Sequence, residues 1–221
     1  MRKITGAVFQ SLDGVMQAPG GPSEDPTGGF TLGGWQWPLD DEVAGEAIGA
    51  LCTSPFSLLL GRRTYDIFSS YWPYVEGESA ALGEAFTRAD KFVLTHGTAP
   101  LEWENSHALH DFAALAEVKA GDGPELRIWG SASLYPGLLA GGLLDQITVL
   151  TYPVLLGSGK RTFREGTPPR SLRVVNSVVG PTGAVVATYE PAGDVAFGES
   201  PVAPPNPREL ERQRRIAEGT W

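Results

Sequence analysis

The sequence predicts one α/β domain: a mixed, mostly parallel sheet flanked by helices and closed by an antiparallel hairpin. Three observations predict it. Short apolar strand patterns alternate with helical patterns over residues 4–154, the signature of parallel strands covered on both faces. Two of those strands run straight into a glycine and then a helix, at Gly61 and at Gly130. Two further strand-like runs, 172–179 and 184–189, flank Gly180-Pro181-Thr182-Gly183 and read as a hairpin.

The elements follow in order. Residues 4–10 form a strand ended by Ser11-Leu12-Asp13-Gly14, and a loop rich in Gly and Pro runs from 16 to 38, with Trp35 and Trp37 near its end. A loop that long inside a compact domain is functional or mobile. Leu39, Val43, Ala47 and Leu51 recur at i+4 spacing with Asp40, Asp41 and Glu42 in the first turn, where a helix dipole favours anions. Strands are expected at 56–60, 91–95, 125–129 and 146–154, and helices at 64–72 and 80–88. Asp111 caps a further helix through Val118, and a helical stretch follows Gly130-Ser131 through Leu144.

The 221 residues suffice for one domain with a sizeable core and are marginal for two. The expected division is one α/β domain over 1–191 and a tail over 192–221. Five prolines between 191 and 207 read as a linker, and Asn206-Pro207-Arg208-Glu209 is a capped helix start. The short charged helix that follows is either a frayed terminus or an arm whose Leu210 or Trp221 docks on a neighbouring subunit.

A net charge of −9 argues against nucleic acid as a partner. The chain starts without a signal-peptide pattern and has no stretch of about 20 apolar residues, so a cytoplasmic protein off the membrane is expected. A single cysteine, Cys52, excludes an intramolecular disulfide and a thiolate metal centre, and reads as a buried, inert thiol. His96, His107 and His110 are the only histidines. The last two fall in an expected loop with no ligand-spaced partner, so no metal is expected.

Chemistry concentrates at the two turns. At Gly61-Arg62-Arg63-Thr64 the free N–H groups of a helix start meet two forked cations, a combination suited to phosphate. At Trp129-Gly130-Ser131-Ala132-Ser133-Leu134-Tyr135, small residues expose backbone N–H groups to a pyrophosphate. Pro136 conflicts with a helix capped by Ser131, and capping by Ser133 relieves the conflict. There is no Rossmann fingerprint and no G-x-S-x-G elbow. The run Leu156-Gly157-Ser158-Gly159-Lys160-Arg161 lacks the first glycine and the metal-binding hydroxyl of a P-loop.

These motifs resemble the dihydrofolate-reductase-like superfamily. Gly61-Arg62-Arg63-Thr64-Tyr65 is similar to its G-R-x-T-[WYF] turn, and the 129–135 run to its G-G-x-x-[VI]-Y turn, with Ser131 in place of the second glycine. Ser11-Leu12-Asp13-Gly14 and the 143–159 segment resemble the reductase domain of the bifunctional deaminase-reductase of riboflavin biosynthesis. The resemblance implies NADPH, with Gly61, Arg62, Arg63, Thr64, Gly130, Ser131, Ala132, Ser133, Leu134 and Tyr135 holding it. Arg62 or Arg63, with Thr95 and His96, would meet the 2′-phosphate. It also implies substrate contacts at Asp13, Trp37, Asp41 and Thr151, and a mobile loop over 16–38 that closes on the nicotinamide. Asp40, Asp41 and Glu42 compete for the place of the pterin-binding acid, and Asp41 is taken as the catalytic candidate. The family and the tail together imply a homodimer. Two other readings stay open: a nucleotide-binding homologue without chemistry, and an α/β domain that serves assembly.

Overall fold

A computed structural model describes residues 1–198 and 204–221. Part of the expected linker, 199–203, lies outside the described residues. One eight-stranded sheet organises the molecule. Its strands are β1 (Ile4–Ser11), β2 (Phe56–Gly61), β3 (Lys91–Leu94), β4 (Ser106–Leu109), β5 (Glu125–Trp129), β6 (Gln146–Tyr152), β7 (Leu172–Val179) and β8 (Val185–Pro191). They lie in the order β4-β3-β2-β5-β1-β6-β8-β7. The first six are parallel, whereas β8 pairs antiparallel with both β6 and β7.

Among the described residues six α-helices accompany the sheet: α1 (Glu42–Ala50), α2 (Arg62–Tyr71), α3 (Ala80–Arg88), α4 (Phe112–Ala120), α5 (Tyr135–Ala140) and α6 (Pro207–Ala217). Strand alternation sorts the core onto two faces. Ile4 and Val8 of β1, Leu59 of β2, Leu126 and Ile128 of β5, and Ile147 and Val149 of β6 pack with α4 and α5. Ala7, Phe56, Leu58, Leu60 and Trp129 face the other way, against α2 and α3. A third cluster joins Val15, Ala18, Phe30 and Trp35 of the long loop to α1 and to Leu150 and Tyr152 of β6.

The helix faces create the site. The chain leaves β5 toward one face, through α5, while its neighbours β2 and β1 leave toward the other, through α2 and α1. The strand order therefore switches on both sides of β5, and the carboxyl ends of strands at such points form ligand crevices.

Several local expectations are corrected. The segment holding His107 is a strand, β4, where a loop was expected, because β3 offers it a parallel partner. α1 starts after Asp41, so Leu39 lies in a preceding 3-10 turn. Neither Ser131 nor Ser133 caps α5: Leu134 stands at its N-cap with no side-chain cap, which puts Pro136 inside the first turn. Cys52 is only half-buried, although burial still raises its thiol pKa. Among the described residues, no helix is long and apolar enough to cross a membrane.

Candidate active site at the carboxyl ends of the strands

The two glycine turns are locked together by one side chain. Ser131 Oγ accepts from the Gly61 N–H at 3.0 Å and donates to Thr64 Oγ1 at 2.9 Å. To do so Ser131 adopts φ +54°, immediately after Gly130 at φ +69°. A non-glycine residue there costs roughly 1–2 kcal/mol, and the two buried hydrogen bonds offset it. The departure from the second glycine of the family turn thus has a purpose: serine fastens β5 to the start of α2. Ser133 Oγ closes the same corner, 3.2 Å from where a Gly61 Cβ would stand.

Charge at this corner divides between two arginines. Arg62 is engaged: Nε meets Asp66 Oδ1 at 2.9 Å and Nη1 donates to the Ala99 carbonyl at 2.8 Å. Arg63 is exposed and makes no side-chain hydrogen bond or ion pair among the described residues. No side chain caps α2, so the N–H groups of its first turn remain for a ligand. Beyond Arg62, the carboxyl end of β3 opens into a cleft of about 310 Å³ lined by Thr95, Thr98, Ala99, Leu101 and His110. Thr95 is buried and its hydroxyl accepts from the Gly97 N–H, while His96 is exposed and outside the lining.

Two of the expected cofactor residues have buried side chains. Tyr135 and Leu134 are buried in the core, so their side chains hold the sheet together. The Tyr135 ring fits because residue 6 is glycine: a Cβ there would stand 2.6 Å from its hydroxyl. Burial without a hydrogen-bond partner drives the Tyr135 pKa up. Ala132 packs on the same core cluster and offers only backbone.

On the other side of β5 the expected substrate residues serve structure first. Asp13 accepts from Ser11 Oγ at 2.6 Å, Leu156 N at 3.1 Å and Gly157 N at 2.9 Å, with Arg161 at 3.5 Å. Those bonds, led by the Ser11 hydroxyl, push its pKa down to about 2. Asp41 caps α1 through the Ala44 N–H and holds the β7–β8 turn through the Thr182 N–H and hydroxyl. These contacts, the Ala44 bond foremost, lower its pKa. A carboxylate so occupied has its hydrogen-bonding capacity turned to the start of α1 and to the hairpin turn. It also sits at β8, three strands from β5, about 14 Å along the sheet. Trp37 is exposed, with its indole N–H on the Gly20 carbonyl. Thr151 pairs with a neighbour on β1: Gln10 Nε2 donates to its hydroxyl at 3.3 Å, and Gln10 Oε1 is buried without a partner. Gln10 escaped the sequence reading, although a glutamine closing an otherwise apolar strand is a visible signal.

The long loop is tied to the domain by side-chain hydrogen bonds. Gln17 Nε2 donates to the carbonyls of Asp25 and Thr27, and its Oε1 accepts from Lys160 N. Lys160 Nζ bonds Asp25 and Thr27 Oγ1. Burial alone would raise the Asp25 pKa, but Lys160 and Thr27 more than offset it and hold it below the usual value. With Phe30 and Trp35 in the core, the loop is a fixed wall over β1 and β6. Its Met16 Cε reaches 4.0 Å from the Gly130 Cβ position. Among the described residues, no cluster of three His, Cys, Asp or Glu side chains could hold a metal ion.

A family model for the RibD C-terminal domain matches residues 2–186. Two solved structures share the fold, each at a TM-score of 0.58. One is a protein provisionally assigned to riboflavin biosynthesis from Shewanella sp. PV-4, 19% identical, covering 86% of this chain and 99% of its own. The other is a pyrimidine reductase-like protein from Corynebacterium diphtheriae, 13% identical, covering 87% and 93%. Among curated proteins, the uncharacterised protein YyaP of Bacillus subtilis is 27% identical over 138 residues, 60% of this chain and 72% of its own length.

Proposed function

The chain belongs to the RibD C-terminal domain family, and from that premise we propose that it is an NADPH-dependent reductase of a small heterocycle. The substrate class is that of a phosphoribosylamino-pyrimidine or a dihydropterin. The observation that carries the reading is the pair of turns clamped by Ser131, with the uncapped start of α2 and the unengaged Arg63 beside it. Free N–H groups, a helix dipole and a guanidinium in one corner suit the phosphates of a dinucleotide.

In this reading Gly61, Thr64, Gly130, Ser131 and Ser133 shape the pyrophosphate seat, and Arg63 takes the 2′-phosphate. Arg62 holds the 97–101 segment in place through Ala99, with Thr95 and His96 at the adenosine end. When bound, NADPH supplies a hydride. Gln10 and Thr151 orient the substrate's polar edge, since Gln10 keeps an acceptor without a partner. The anchored 16–38 loop excludes water from that side. With Asp13 and Asp41 both committed, the proton comes from water.

Titration of NADPH and NADH into wild type and Arg63→Ala tests this. Loss of a charge-assisted phosphate contact worth about 1.5–3 kcal/mol weakens NADPH roughly 10- to 100-fold and leaves NADH unchanged. Equal affinity of the wild type for both nucleotides defeats the assignment. The commitment of both carboxylates favours a second reading, a nucleotide-binding homologue without chemistry. Stoichiometric NADPH binding with no oxidation by pyrimidine or pterin substrates selects it.

A further inference from the structure

The chain leaves β1 and β6 with large apolar side chains in the open. The two exits run side by side beyond the Gln10–Thr151 pair, and the Leu12 N–H donates to the Val154 carbonyl at 2.9 Å. Leu12 is 67% exposed and Leu155 70%. Neither sits on loose chain: Asp13, next to Leu12, accepts from the N–H groups of Leu156 and Gly157, next to Leu155. Phe163 comes to the same end of the sheet. Its neighbour Thr162 donates its N–H to the Gly14 carbonyl at 3.0 Å, and its own ring, 40% exposed, meets the Tyr135 ring at 6.2 Å. One exposed leucine means little. Three large apolar side chains on pinned backbone form a patch of the kind that marks a binding surface.

The same segments have no surplus of positive charge. Residues 11–25 and 153–165 hold three cations, Lys160, Arg161 and Arg164, against four anions, Asp13, Glu24, Asp25 and Glu165. Lys160 bonds Asp25, and Arg161 stands 3.5 Å from Asp13 and donates to the Gly157 carbonyl. Arg164 and Glu165 are adjacent and both exposed, so their fields oppose each other. A phosphate here would meet a net negative field, on a chain that carries −9 overall. We infer that the substrate taken at this end is an uncharged heterocycle that carries an alkyl or aryl substituent and no phosphate. Gln10 and Thr151 meet the polar edge of its ring, and Leu12, Leu155 and Phe163 cover the substituent. The inference rests on the reductase reading and narrows it: an apolar pterin satisfies the patch, and a phosphoribosylamino-pyrimidine does not.

Binding is the readout, so a homologue without chemistry still answers the test. Calorimetry of the full chain, with and without NADP⁺, measures its affinity for pterins bearing hydrogen, methyl, propyl or phenyl on the pyrazine ring. Affinity rises about three- to four-fold for each methylene covered. A phosphoribosylamino-pyrimidine binds more weakly than the same compound without its phosphate. Leu12→Ser with Leu155→Ser, both at exposed positions, keeps the melting temperature and flattens the pterin series. Failure of every pterin to bind, affinity indifferent to the substituent, a slope that survives both serines, or a phosphate that tightens binding overturns the inference. A protein that binds the series as stated but takes neither NADP⁺ nor NADPH defeats the reductase reading and supports the apolar site.

Discussion

The two sides of β5 are built on opposite plans. Toward β2, polar groups are left free: the N–H groups that open α2, the Arg63 guanidinium and the hydroxyl of Ser133. Toward β1 and β6, three carboxylates are spent: Asp13 on the glycine-rich loop, Asp41 on a cap and a hairpin turn, Asp25 on Lys160, while Asp40 meets only the Tyr152 hydroxyl, at 3.5 Å. Beside them stand two neutral groups, Gln10 and Thr151, with Gln10 Oε1 buried and without a partner. An anionic cofactor needs free donors. A neutral heterocycle needs a shaped wall with a few hydrogen-bonding groups, and the carboxylates hold that wall in place.

Three substitutions break or sharpen this contrast. Lys160→Ala has the largest effect, because it leaves the Asp25 carboxylate unpaired in a loop that is itself part of the core. Breaking a buried pair costs about 3–5 kcal/mol. Lys160 is 35% exposed, so a loss of about 2–3 kcal/mol is expected, a fall of roughly 5–10 °C in Tm. NADPH affinity should stay within a few-fold of wild type. A parallel collapse of cofactor binding would show that the two sides are one unit.

Ser131 comes next. Ser131→Ala keeps the strained φ and loses both bonds, for an expected loss of about 2 kcal/mol. Ser131→Gly loses the same bonds but relieves the backbone, so it should be the milder change by about 1 kcal/mol. Both should weaken NADPH. Equal melting temperatures for the two variants would sink the strain argument.

Asp13→Asn has the smallest effect and a pH signature. The folded-state pKa of Asp13 is depressed to about 2 from 3.8, so its stabilising contribution is complete above the unfolded value and disappears as pH falls through the folded one. The Tm difference between wild type and Asp13→Asn should be constant near neutrality and shrink between pH 3.8 and about 2. A difference unchanged across that window would show that the carboxylate's charge plays no part.

What the sequence made legible is local. The Gly61 turn, the β7–β8 hairpin and each strand–helix step of the alternation are written in neighbouring residues. β4 was not, because Ser-His-Ala-Leu has no apolar alternation and is a strand only by virtue of β3. Tyr135 lies inside a correctly located turn, yet the room for its buried ring depends on Gly6, far away in the chain. The carboxylates show the same limit. Residue type marked Asp13 and Asp41 as candidates, and only tertiary structure reveals that Leu156, Gly157 and Thr182 already hold them.

The position of β1 has a consequence for how the molecule comes to exist. β1, which precedes the other described strands in the chain, lies between β5 and β6, with Ile4 beside Leu126 and Gln10 beside Thr151. It has no sheet partner until more than half of the chain has followed it. The strap that fixes the 16–38 loop waits longer, for Lys160. Closing contacts of such separation is slow. The Gly61 corner requires only β5 and its turn, whereas the substrate wall requires nearly the whole domain, so the wall should be the last part of the site to order during synthesis.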